Sequence, residues 1–103
     1  MDKFGVRPRW EWIFQQYSGA RAGSNIAWSN GGLDPWSAGG VLPGSPRDTA
    51  ATPAFLMPEG AHHLDLFFSN AADPASVTAV RKAQVALMEK WAAEWRAAGA
   101  RDL

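Results

Sequence analysis

The sequence predicts an α/β fold: two short strands of a parallel sheet with flanking helices. Three observations predict it. Two brief apolar runs, residues 25–29 (NIAWS) and 54–57 (AFLM), are each bounded by turn residues. The connection between them reads as a crossover rather than a tight turn. A long, strongly patterned helix then closes the chain.

The elements follow in order. In RWEWIFQQY, Trp10, Ile13, Phe14 and Tyr17 fall at i, i+3, i+4 and i+7, the spacing of a helix face. Ser18-Gly19 and Gly23-Ser24 end that helix. Residues 25–29 suit a short buried strand, and Asn30-Gly31-Gly32 is expected to break it. Leu33-Asp34-Pro35-Trp36 should then lie on a loop just past the strand's C-terminal end. Residues 37–53 carry Gly39, Gly40, Pro43, Gly44, Pro46 and Pro53 and read as loop. The second strand, 54–57, lies between Pro53 and Pro58, which marks it as short and at a sheet edge. Glu59-Gly60 turns the chain into a loop bearing His62 and His63. Asp73-Pro74 supplies an N-cap and a proline at the first helical position. Val77, Val80, Ala83, Leu87, Trp91 and Trp95 follow at steps of three or four, one face of a helix over 74–98. Arg81, Lys82, Glu89, Lys90, Glu94 and Arg96 make its polar side, and Gly99 its stop.

Composition narrows the function. The 103 residues are near the size of one domain. Ten basic and ten acidic side chains balance, so charge gives no case for nucleic acid or an anionic membrane as partner. The one basic cluster, Arg7-Pro8-Arg9 beside Trp10, reads as a solvated turn. There is no cysteine, which excludes disulfides, thiol catalysis and thiolate metal sites. No apolar run approaches the roughly 20 residues that span a bilayer. MDKFGVRPRW lacks the apolar h-region of a signal peptide, so none is expected and the compartment is not fixed by this chain. Six tryptophans add much aromatic surface to so short a chain. Trp28, Trp91 and Trp95 are expected to leave apolar patches on the surface, which favours association.

Functional residues of parallel α/β sheets collect past the C-terminal ends of strands. Asp34 and His62 both stand there. A serine nucleophile needs a histidine base, and the base needs an acid that fixes its tautomer and stabilises the imidazolium. In the α/β-hydrolase arrangement the chain order is Ser, Asp, His, and Asp34 precedes His62 with one strand between them. Plainer readings stand beside this one. Asp-Pro is a common turn starter, and a His-His pair is often structural. His62, His63 and Asp65 could supply three metal ligands, but adjacent histidines usually diverge and no His-Glu-x-x-His pattern occurs. No metal or other cofactor is expected. The glycines of SNGGLDPWSAGG lack the Lys-Ser/Thr ending or the Gly-x-Gly-x-x-Gly entry of a phosphate cradle.

FGVRPR, SNGGLDPWSAGGV, EGAHHLDL and DPASVTAVRKAQ together resemble the C-terminal region of the prolyl serine peptidases of family S28. That family includes lysosomal Pro-Xaa carboxypeptidase and dipeptidyl peptidase II. The likeness runs from about Phe4 to Trp95, and LDPW with GAHHLDL at this separation is far more specific than either alone. The resemblance implies that residues 1–103 are the C-terminal portion of an α/β-hydrolase peptidase domain, carrying its Asp and His loops. It implies a serine exopeptidase that cleaves beyond proline, of carboxypeptidase or dipeptidyl-peptidase type. Its substrates would be peptides with proline near a terminus. By position, Asp34 matches the family's triad aspartate and His62 its triad histidine. His63 would pack or hydrogen-bond nearby, and Trp36 would either wall a proline-sized pocket or pack in the core.

The departures matter as much. No Gly-x-Ser-x-Gly elbow holds any of Ser18, Ser24, Ser29, Ser37, Ser45, Ser69 or Ser76. The nucleophile elbow, cap domain and oxyanion donors are therefore expected outside this chain, in an N-terminal remainder of the hydrolase that catalysis requires. The loop from Leu42 to Pro53 is a few residues longer than the family pattern. Family members are secreted or lysosomal, which is the location implied for the full protein. The isolated chain is expected to be inactive. The alternative is a non-catalytic, stand-alone fragment that binds a partner, including the rest of the hydrolase in trans.

Overall fold

Two parallel strands lie side by side, and one long helix packs against the second. The structure is a computed structural model; it describes Gly5, Arg9, Glu11, Trp12 and residues 23–99. The helix expected around 10–17 and the Arg7-Pro8-Arg9 cluster fall for the most part outside the described residues. In chain order come strand β1 (Trp28–Gly31), a 3-10 helix (Pro35–Gly39), strand β2 (Ala54–Met57), a second 3-10 helix (Leu64–Leu66) and helix α1 (Ala75–Ala97).

Strands β1 and β2 pair in parallel, with Trp28 opposite Ala54 and Gly31 opposite Met57. The parallel sheet and its crossover are thus as expected, but β1 begins and ends later than 25–29. Asn25 sits at φ 60, a left-handed turn conformation that no strand can begin from. At the other end, the expected breakers Asn30 and Gly31 belong to the strand. The Asn30 side chain donates to the Val41 carbonyl at 2.8 Å and reaches the Phe55 carbonyl at 3.4 Å. Gly31 is required by closeness: a Cβ there would lie 2.5 Å from the Gly60 carbonyl oxygen. The residues that break strands by propensity serve here to pack the strand against its surroundings.

Side chains alternate across the sheet. Phe55 and Met57 of β2 face α1 with Ser29 and Gly31 of β1. Met57, Val77 and Val80 form the buried core, with Phe55 and Leu64 packed against it. The proline- and glycine-rich connection is held by side chains instead of regular structure. Asp48 accepts from the Gly44 amide at 2.8 Å and from the Ala54 amide at 2.9 Å, which ties the loop to the start of β2. Thr49 and Thr52 pair across a short bridge, and Thr52 Oγ1 donates to the Arg47 carbonyl.

Helix α1 matches the expected 74–98 to one residue at each end, and Gly99 at φ +83 stops it. Its N-terminus differs. Pro74 is the cap residue, its carbonyl accepting from the Val77 and Thr78 amides, and no side chain caps the helix. Asp73 turns away, accepting from the Asn70 amide at 2.8 Å and from the Arg81 guanidinium. The buried face also differs: Val77 and Val80 are buried, but Trp95 is 60% exposed. The inner face runs through Val77, Val80, Arg81 and Gln84, so Arg81 does not belong to the solvated side. Trp28 is half-buried rather than open, with the Arg47 guanidinium carbon 5.1 Å from its ring.

Candidate active site

The loops after β1 and β2 are stitched together by backbone hydrogen bonds. Gly32 donates to the Met57 carbonyl at 2.8 Å, and Leu33 to the Gly60 carbonyl at 3.0 Å. Asp34 follows at once and starts the 3-10 helix with Pro35 at its first position. Its Oδ1 accepts from the Trp36 amide at 3.0 Å, an Asx-type cap that fixes the carboxylate plane. Oδ2 is left for a second partner. One carboxylate oxygen thus serves the turn, and the other faces the histidine loop.

That partner is His62. Its Nδ1 lies 2.6 Å from Asp34 Oδ2, at the short end for a charge-assisted bond. Gly60 sets the loop: its amide donates to the Met57 carbonyl, and a Cβ there would lie 2.7 Å from the Met57 Cβ. The Asp34 side chain is 10% exposed and the His62 side chain 52% exposed. The His62 hydrogen bond holds the Asp34 carboxyl below the usual carboxylate range. Partial burial opposes this, and the Trp36 amide assists it. An ionised carboxylate only accepts, so Nδ1 donates and carries the ring proton. In the neutral form of such a ring the lone pair lies on Nε2.

His63 adopts φ 55, left-handed backbone that is uncommon for a residue with a Cβ. This turn brings its ring beside that of His62, with centroids 3.7 Å apart and planes tilted by 49°. The two histidines therefore do not diverge, contrary to expectation. Asp65 does not join them as a third ligand. It is buried, and its Oδ2 accepts from Ser29 Oγ at 2.7 Å and Gln84 Nε2 at 2.6 Å. No group of three or more metal-ligating side chains occurs among the described residues. Trp36 is 78% exposed, so its indole lies outside the core formed by the described residues.

Sequence reasoning missed the polar side chains beneath the histidine loop: Ser29, Asp65, Arg81 and Gln84. A signal was present. Val77, Val80, Arg81 and Gln84 complete one i, i+3, i+4, i+7 set, so two polar groups share a face with the two buried valines. Asp65 sits between two leucines, an acid where the pattern calls for an apolar residue.

Comparison with known proteins gives the family. The chain is 47% identical over 96 residues to a lysosomal Pro-X carboxypeptidase of Bos taurus, covering 90% of this chain and 18% of that protein. The human lysosomal Pro-X carboxypeptidase is 47% identical over 93 residues, covering 87% and 18%. A prolyl carboxy peptidase-like protein of Caenorhabditis elegans is 38% identical over 71 residues, covering 69% and 14%. The chain thus spans less than a fifth of the length of the mammalian relatives it matches. The family model of the serine carboxypeptidases S28 matches residues 2–84, most of the chain and both loops of the site; the chain belongs to that family.

Proposed function

We propose that this chain is the C-terminal segment of a serine exopeptidase that cleaves after proline, and that Asp34 and His62 are the acid and base of its triad. The observation that carries the proposal is the 2.6 Å contact between Asp34 Oδ2 and His62 Nδ1, with Asp34 oriented independently by the Trp36 amide. Family membership and the names of the relatives supply the reaction class. In this reading the parallel pair β1–β2 is one part of an α/β-hydrolase sheet. The serine, its oxyanion donors and the cap domain belong to chain that precedes these residues.

The chemistry follows from the tautomer. His62 Nε2 takes the hydroxyl proton of the serine as its oxygen attacks the carbonyl carbon of the scissile bond. Asp34 stabilises the imidazolium that forms and does not itself take the proton. His62 then protonates the leaving amine nitrogen as the C–N bond breaks, leaving an acyl-enzyme. Water, deprotonated by the same Nε2, releases the acid and regenerates the serine. Trp36, exposed two residues beyond Asp34, offers a flat apolar face for a proline ring.

The test is hydrolysis of a reporter peptide with proline before the scissile bond, by the natural protein that contains these residues. Turnover should be lost in the His62→Ala variant. Turnover that survives this substitution overturns the assignment of His62.

A further inference from the structure

Beneath His62 the chain has no strand or α-helix to hold it. Residues 61–68 run through a turn, one short 3-10 helix and open coil. Yet the imidazole must meet Asp34 with little tolerance, because small misplacements of a base cost rate steeply. Something outside the loop has to fix it.

Arg81, one turn beyond Val77 on the inner face of α1, reaches into the loop. Its Nε donates to the Asp65 carbonyl at 3.0 Å. Its Nη2 donates to the Leu64 carbonyl at 2.7 Å and the Phe67 carbonyl at 3.2 Å. Its Nη1 is anchored by the Asp73 carboxylate, so the guanidinium is itself held. Three carbonyls within six residues of His62 thus converge on one planar cation. A second contact ties the same loop to the strand that leads to Asp34: Asp65 accepts from Ser29 of β1 and from Gln84 of α1.

We propose that Arg81 is a positioning residue for His62: its guanidinium fork, anchored on Asp73, clamps the loop that carries the base so that Nδ1 meets Asp34. The proposal rests on the Asp34–His62 reading above. A fork is required, not a charge alone. Arginine presents fixed coplanar donors, whereas a lysine ammonium is a compact point charge on a flexible stem and cannot serve three carbonyls and a carboxylate at once. Arg81 touches neither Asp34 nor His62, so its effect passes through the loop backbone.

The test reads the pair directly, by carboxyl-carbon NMR titration of the natural protein that contains these residues, labelled at aspartate. Asp34 reports the dyad, since its lowered midpoint arises first from the His62 hydrogen bond. Asp48 is the internal control: its midpoint is also lowered, by the Gly44 and Ala54 amides at the opposite end of the strands. In the unaltered chain both should titrate below the usual aspartate range, and His62→Ala should raise Asp34 alone. Arg81→Ala and Arg81→Lys should each raise the Asp34 midpoint toward that of His62→Ala and leave Asp48 in place. An Asp34 midpoint that stays low in both variants overturns the clamp while leaving the dyad intact. Retention in Arg81→Lys alone shows that charge suffices and overturns the fork. Joint movement of Asp34 and Asp48 in both variants makes Arg81 general fold support and also overturns it. An ordinary Asp34 midpoint in the unaltered chain overturns the dyad itself.

Discussion

A Cβ on Gly31 would lie 2.5 Å from the Gly60 carbonyl oxygen and 2.7 Å from that of Ala61. The end of β1 therefore touches the histidine loop backbone to backbone, with no side chain between them. Asp34 lies three residues beyond the first glycine and His62 two beyond the second. This closeness lets two side chains from the loops after separate strands meet.

Gly31→Ala should accordingly wedge the two loops apart. Overpacking of this kind costs about 1–3 kcal/mol. The expected result is a lower urea midpoint together with a rise in the Asp34 titration midpoint. A variant with unchanged stability and an unchanged Asp34 would show that the loops have slack, and would contradict the close-packing account.

Asp34→Asn should abolish most activity in the natural protein while leaving the fold nearly intact. The asparagine amide can donate to Nδ1, which would place the ring proton on Nε2 and remove the base. A loss of about 10⁴-fold in kcat is the scale of such a change in a serine triad. It is checked with the proline reporter peptide, and a loss under tenfold would contradict the role given to Asp34.

Acid should destabilise the chain through three carboxylates. Asp34 is held low by His62, Asp48 by the Gly44 and Ala54 amides, and Asp73 by Arg81 and the Asn70 amide. A carboxyl with a depressed folded-state pKa contributes stability that is fully present above its unfolded value. That contribution is lost as pH falls through the folded value. The window therefore opens near the ordinary aspartate value of 3.8 and extends downward. Urea melts should give a lower midpoint at pH 3 than at pH 6, and Asp48→Asn should reduce the difference. Equal midpoints at the two pH values would contradict the prediction.

The isolated chain should associate and should not hydrolyse peptides. Phe68 is fully exposed, and Leu66, Phe67 and Trp95 are each at least 60% exposed. Such exposed apolar surface favours self-contact. Sedimentation should show mass rising with concentration, and substituting Phe67 and Phe68 by serine should reduce it. A concentration-independent monomer would count against this.

The sequence made the long elements legible and the close contacts less so. Helix α1 announced itself by a cap region, a 3.6-residue period and Gly99. β2 was marked by its flanking prolines. β1 was misplaced because Asn30 and Gly31 are poor strand formers in isolation. Their place in the strand depends on Val41, Gly60 and Ala61, which are distant in the chain. Asp34 and His62 could be named from spacing and resemblance, but that one carboxylate serves both the 3-10 cap and the histidine required coordinates. Arg81 was read as solvated because lysine and arginine usually are. Its burial depends on carbonyls of a loop whose path no local pattern predicts.

The role proposed for His62 is that of base for a serine carried elsewhere in the same natural protein. A fluorophosphonate probe, whose phosphorus an activated serine attacks with loss of fluoride, tests it on the protein captured from its source with an antibody to residues 75–97. The expected result is a labelled band several times larger than 11.1 kDa, with labelling abolished by His62→Ala. An unlabelled band near 11.1 kDa, or labelling indifferent to His62, would contradict it.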